Sequence, residues 1–111
     1  MVYSPHYPGW WKASFLDSYT GDKSVLLDAV ETILRFGADN SQPVWIGEWG
    51  ICVEGTNVTQ YIRDLGDVMD THGVGWSWWT YGAYNFGMNL LDENGVERAT
   101  LVDNLLWVMV L

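Results

Sequence analysis

This sequence is poor in basic residues and almost free of cysteine. Five Lys and Arg stand against 14 Asp and Glu, a formal net charge of −9. A chain without a basic patch is a poor match for a phosphate backbone or an anionic lipid surface, so neither nucleic acid nor membrane is expected as a partner. The single cysteine, Cys52, excludes an internal disulfide and any zinc site built on cysteines. No metal or cofactor is expected. No run nears the roughly 20 apolar residues of a membrane-crossing helix. Met1-Val2-Tyr3-Ser4 has neither the basic segment nor the apolar stretch of a signal peptide. There is no internal repeat and no low-complexity tract.

Aromatic rings, by contrast, are in excess. Eight Trp and six Tyr occur in 111 residues, more than a core of this size requires. Aromatic faces stack on sugar rings, so the surplus points to carbohydrate, although Trp also packs well in any interior. Apolar residues make up 49% of the chain, enough for the core of one small domain.

Taken in order, residues 2–6 predict a strand whose period-2 face is Val2, Ser4 and His6. A loop over 7–23 follows, with the exposed pair Trp10-Trp11 and a Thr20-Gly21-Asp22 turn. Ser24 is placed to cap a helix over 25–36 whose apolar face is Leu26, Leu27, Val30, Ile33 and Leu34, and Gly37 to end it. Residues 43–48 read as a strand, beginning at Pro43 and carrying Val44, Trp45 and Ile46. Asn57 is placed to cap a second helix over 58–71, striped by Val58, Tyr61, Ile62, Leu65, Val68 and Met69. The same Asn57-Val58-Thr59 matches a glycosylation acceptor, and capping explains it equally. Residues 74–80 read as a third strand, with Gly75, Ser77 and Trp79 on one face and Val74, Trp76, Trp78 and Thr80 on the other. Asn94-Gly95 signals a hairpin turn. A helix over 99–111, apolar nearly all round at its end, should be buried against something. Strands alternating with helices indicate βαβ units and a parallel sheet.

His6, Glu48 and Trp79 each fall at the C-terminal end of a predicted strand. That end is where (β/α)8 barrels build active sites and where open parallel sheets bind ligands. Glu48 is the sharpest of the three. It sits at the tip of an apolar strand, where a charge is costly unless it is used or paired.

Three motifs carry a family resemblance. Ile46-Gly47-Glu48-Trp49-Gly50 resembles the nucleophile motif on the seventh strand of glycoside hydrolase family 5, the cellulase family. Gly75-Trp76-Ser77-Trp78-Trp79-Thr80 resembles its eighth strand, and Val2-Tyr3-Ser4-Pro5-His6-Tyr7 its sixth. Leu90-Leu91-Asp92-Glu93-Asn94-Gly95 is similar to the segment before its last helix. The resemblance implies Glu48 as nucleophile, Trp79 as the platform under the sugar, and His6 as a substrate-site residue. Tyr7 stands in for the aromatic that the family places two residues after the His, a position held here by Pro8. Trp10 and Trp11 are further candidates for sugar binding. The family's Asn-Glu-Pro segment, whose Glu is the acid/base, has no counterpart in these residues.

A retaining glycosidase needs two carboxylates about 5–5.5 Å apart. Asp92 and Glu93 belong to a turn and Glu54 to a loop, so none of them replaces the absent acid/base. A complete barrel takes roughly 250 residues. The expectation is therefore α/β: a partial (β/α)8 TIM barrel of three parallel strands with three helices. Residues 1–111 would form the C-terminal fragment (sixth to eighth βα units) of a glycoside hydrolase catalytic domain. Its partners would be a polysaccharide or oligosaccharide substrate and the missing N-terminal part of the barrel. The resemblance further implies a secreted, retaining, cellulase-like enzyme acting on β-linked polysaccharide, inactive as this chain alone. The alternatives are a small carbohydrate-binding module using Trp10, Trp11 and Trp79, or a half-barrel that assembles with itself.

Overall fold

The computed structural model describes residues 1–6, 19–82 and 87–110. Its elements follow in the order α1 (Lys23–Asp39), β1 (Trp45–Trp49), α2 (Val58–Thr71), β2 (Gly75–Trp78) and α3 (Ala99–Val110). β1 and β2 pair in parallel as a two-stranded sheet. The N-terminal segment lies along the other edge of β1, with parallel bridges from Tyr3 to Val44 and from His6 to Glu48.

That segment is not the continuous third strand the sequence predicts, and Pro5 is the reason. Tyr3 N–H donates to the Pro43 carbonyl, and its own carbonyl accepts from Trp45 N–H. The Pro5 carbonyl accepts from Gly47 N–H in the same rhythm. Continuing the ladder would require an N–H at residue 5, and proline has none. The three segments lie side by side as expected, but only two are strands.

The helices show where local chemistry overrides pattern. α1 starts two residues before the predicted helix and ends three residues after it. Asp22, not Ser24, is its N-cap: the carboxylate accepts from Ser24 N–H at 3.0 Å and from the Ser24 hydroxyl at 2.6 Å. Gly37 does not end α1 but lies buried within it. A Cβ there would stand 2.4 Å from Val44 Cγ2, so glycine serves the close approach of helix to strand. α2 spans the predicted residues. Asn57 precedes it in the left-handed region (φ 57°) and makes no side-chain cap. Its Nδ2 donates instead to the Tyr19 carbonyl at 2.7 Å.

α2 sits between the other two helices and carries the core. Tyr61, Ile62, Leu65 and Met69 pack with Leu26 and Val30 of α1, Ile46 and Trp49 of β1, and Leu101 and Leu105 of α3. Gly66 lets α3 come close, since a Cβ there would lie 2.5 Å from both γ-carbons of Val108. Asn104 of α3 is buried and satisfied: it accepts from Arg63 Nε and donates to Thr59 Oγ1 and the Thr100 carbonyl. The end of α3, from Leu105 on, is apolar nearly all round, yet only one face is covered, leaving Leu106, Trp107 and Met109 exposed. The predicted turn is present. Leu91 and Glu97 form an antiparallel bridge, and Asp92 Oδ1 accepts from Asn94 and Val96 N–H. Gly95 supplies the positive φ of 77°.

Two substitutions test this packing by urea unfolding. Gly66→Ala, which in an open helix would stabilise by about 1 kcal/mol, is expected to destabilise by about 1–3 kcal/mol through overpacking against Val108; a gain in stability would contradict the close approach. Asp22→Ala is expected to cost about 1 kcal/mol as the loss of a cap, and Ser24→Ala less than about 0.5 kcal/mol as a surface change. The reverse ranking would restore Ser24 as the cap.

Candidate functional site

The site is built from one irregularity in β1. Trp45 pairs with Gly75 and Ile46 with Trp76, but Trp49 pairs with Trp78. Between Ile46 and Trp49, β1 holds two residues, Gly47 and Glu48, where β2 holds only Ser77. This is a β-bulge, a device that re-aims side chains.

Side-chain positions reveal its effect. Ile46 is buried in the core, and strict alternation from it would send Glu48 to that same face and Trp49 to the opposite one. Instead Trp49 is wholly buried with Ile46. Its indole meets Trp76 at 5.2 Å and Trp78 at 5.0 Å, both edge to face, and Tyr61 of α2 at 6.1 Å. Gly47 lies against the N-terminal segment, where an added Cβ would be 2.6 Å from Ser4 Oγ and 3.7 Å from His6 Cδ2. Glu48 follows it to that face, and Oε2 lies 3.0 Å from His6 Nδ1. The extra residue therefore exchanges the places of an indole and a carboxylate. Burying the indole stabilises by about 4–6 kcal/mol, taking 150–250 Å² at about 25 cal/mol per Å². Leaving a carboxylate in its place would cost several kcal/mol in desolvation.

Glu48 is thus paired, as a charge at the tip of an apolar strand requires, and only partly buried. Its side chain is 23% exposed and that of His6 is 50% exposed. Because the carboxylate accepts, the pair requires Nδ1 to carry the imidazole proton. The carboxylate oxygen engaged by His6 is Oε2.

Trp79 reaches the same end of the sheet. Its N–H donates to the Trp49 carbonyl at 2.9 Å, and the residue is 40% exposed. A cis peptide bond joins it to Thr80. The following excursion is fastened to the strand end: Leu90 N–H donates to the Thr80 carbonyl, Trp78 Nε1 to the Met88 carbonyl, and Val53 N–H to the Gly87 carbonyl. Below the bulge, on the face shared with Gly47, Trp45 Nε1 donates to Ser77 Oγ at 3.1 Å, and its ring packs so close to Gly75 that a Cβ there would collide with it. Trp45 is 44% exposed, so this face of the sheet is open in the chain alone.

The structure therefore brings His6 and Glu48 into contact and places Trp79 one hydrogen bond from Trp49. Tyr7, Trp10 and Trp11 lie outside the described residues. Glu54 is in an exposed loop, and Asp92 and Glu93 are in the turn, as expected. Among the described residues no group of three or more His, Cys, Asp or Glu could hold a metal ion. Sequence reasoning passes over Trp49 as a structural element of the site and over the bulge beneath it. The signal was present in Gly47, since a glycine inside a strand marks a bulge or a close backbone approach.

Comparison with known proteins agrees with this arrangement. The chain matches the family described as Cellulase (glycosyl hydrolase family 5) over residues 1–85. No curated protein matches. Among solved structures, the endoglucanase Cel5A of Thermotoga maritima is similar with a TM-score of 0.66 at 17% identity, over 90% of this chain and 34% of that one. Cellulose synthase subunit Z (CcsZ) of Clostridioides difficile is similar at 0.63 and 13%, over 93% and 31%. An endo-β-1,4-glucanase of Xanthomonas axonopodis pv. citri is similar at 0.63 and 15%, over 86% and 35%. The chain thus spans about a third of the length of the structures it resembles. A carboxylate and a histidine meet at the C-terminal ends of neighbouring parallel segments, and the family match covers both: the chain belongs to glycosyl hydrolase family 5.

Proposed function

We propose that this chain supplies the sixth to eighth βα units of a (β/α)8 barrel that hydrolyses β-linked polysaccharide with retention, and that Glu48 is its nucleophile. The carboxylate held by His6 at the end of β1 is the observation that carries this reading. His6 Nδ1–H on Oε2 orients the carboxylate and leaves Oε1 for the anomeric carbon. As Oε1 bonds to that carbon, the bond to the leaving oxygen breaks, and a second carboxyl group protonates that oxygen. The same group, then a carboxylate, takes a proton from water, which attacks the anomeric carbon and frees Glu48. Trp79 forms a sugar platform, with Tyr7, Trp10 and Trp11 as further contacts.

The second carboxyl group lies outside these 111 residues. The other described acids sit on or beside the helices, in the loop after β1, or in and beside the 92–97 turn. The described chain also has an open sheet face, and it covers about a third of the length of the structures it resembles. Cel5A of Thermotoga maritima has been solved with cellobiose and with mannotriose, which supports a β-linked gluco- or manno-oligosaccharide as substrate here. Secretion is part of the proposal and rests on the family; no described helix is long and apolar enough to cross a membrane.

Release of phenol from an aryl cellobioside tests the division of labour. The chain alone is expected to give none. Joined to five preceding βα units that carry an acid/base, it is expected to turn over, and Glu48→Gln should then lower kcat by at least about a thousandfold. Turnover by the chain alone, abolished by the same substitution, would show that the second carboxyl group is within it.

A further inference from the structure

We infer that Trp49 is a positioning residue: its indole, locked in a box of Tyr61, Trp76 and Trp78, holds the β1 bulge in register and so aims Glu48 at His6. This deepens the reading of Glu48 as nucleophile and rests on it.

Three features point to the ring's shape as the determinant. The first is the register. β1 and β2 are in step at Trp45 and Ile46 and out of step by one at Trp49, so the extra residue is absorbed just before the indole. The second is that packing alone fixes the ring. Trp49 Nε1 is buried and, among the described residues, has no hydrogen-bond partner. Nothing polar selects the orientation; three rings at 5.0–6.1 Å do. The third is that the box is braced from both sides. Tyr61 meets Tyr19 edge to face at 5.6 Å, and the Tyr19 hydroxyl donates to the buried Asp64 carboxylate at 2.9 Å. On the other side the backbone at Gly50 is closely packed, since a Cβ there would lie 2.7 Å from the Trp79 carbonyl oxygen, 2.8 Å from Met88 Cε and 3.6 Å from Cζ2 of Trp78, a wall of the box. If the indole leaves the box, nothing holds the strand out of step, and regular alternation turns Glu48 away from Ser4 and His6.

Because the indole nitrogen makes no hydrogen bond among the described residues, a plain aromatic ring should serve and an aliphatic side chain should not. The test reads the His6–Glu48 contact directly and needs no hydrolysis. In the isolated chain, the His6 ring resonances are followed by NMR with Glu48 and with Glu48→Gln, in each of four backgrounds: wild type, Trp49→Phe, Trp49→Leu and Ile46→Ala. Ile46 is equally buried on the same strand and face but lies before the bulge, so it controls for general loss of stability. The shift of His6 caused by Glu48→Gln is expected to persist in wild type, Trp49→Phe and Ile46→Ala, and to fall by more than half in Trp49→Leu. Retention of the full shift in Trp49→Leu, or an equal loss in Ile46→Ala, would overturn the inference. So would a Trp49→Leu chain that unfolds while Ile46→Ala stays folded with its shift reduced. Failure of Glu48 as nucleophile would leave all four spectra unchanged and would appear only in turnover, so the two claims fail separately.

Discussion

The structure depends on where one indole goes. Trp49 is the largest fully buried side chain in the described core, and it occupies a place that strand alternation would assign to its neighbour. Its burial and the desolvation of Glu48 act in the same direction, each a matter of several kcal/mol. Together they outweigh the regular ladder lost at one rung, where a net hydrogen bond contributes about 1 kcal/mol. The bulge is therefore what the residues Gly-Glu-Trp adopt when an apolar helix layer covers one side of the sheet and the other is open.

From that constraint the rest of the site follows. With Trp49 on the core side, Gly47 and Glu48 share the face of Ser4 and His6, and the absence of a Cβ at Gly47 admits Ser4. Pro5 has a related effect on the partner segment. It ends regular pairing with β1 after Tyr3, yet its carbonyl still accepts from Gly47 N–H, so His6 stays within reach of Glu48. The two residues that break the ladders, Gly47 and Pro5, are neighbours across the sheet, next to the carboxylate and the imidazole they help to place.

Much of the fold was legible in the sequence, for reasons that differ by element. α2 declared itself at both ends because its stripe, Val58 to Met69, coincides with the residues that are buried. The strand order was legible because apolar runs alternate with helices. α1 is misleading at both ends: a hydroxyl at Ser24 resembles a cap although a carboxylate two residues earlier does that work, and Gly37 resembles a stop although helix–strand contact requires it. The excess of Trp had two readings, sugar platform and core. Trp49 and, in part, Trp76 and Trp78 belong to the core, while Trp79 remains exposed at the strand end. That Glu48 and His6 lie at the same end of adjacent parallel segments was legible from the strand pattern. Their pairing was not, because it depends on a bulge, and a one-residue register shift is set by tertiary packing rather than by local pattern.

The most direct test of the account is the identity of the carboxylate that bonds to sugar. In the assembled barrel, a fluorosugar cellobioside with a good leaving group should slow breakdown of the glycosyl-enzyme enough for the adduct to be isolated. Peptide mass spectrometry is predicted to find the sugar on Glu48, with no adduct in Glu48→Gln. A sugar on any other carboxylate, with Glu48 unmodified, would contradict the account at its centre.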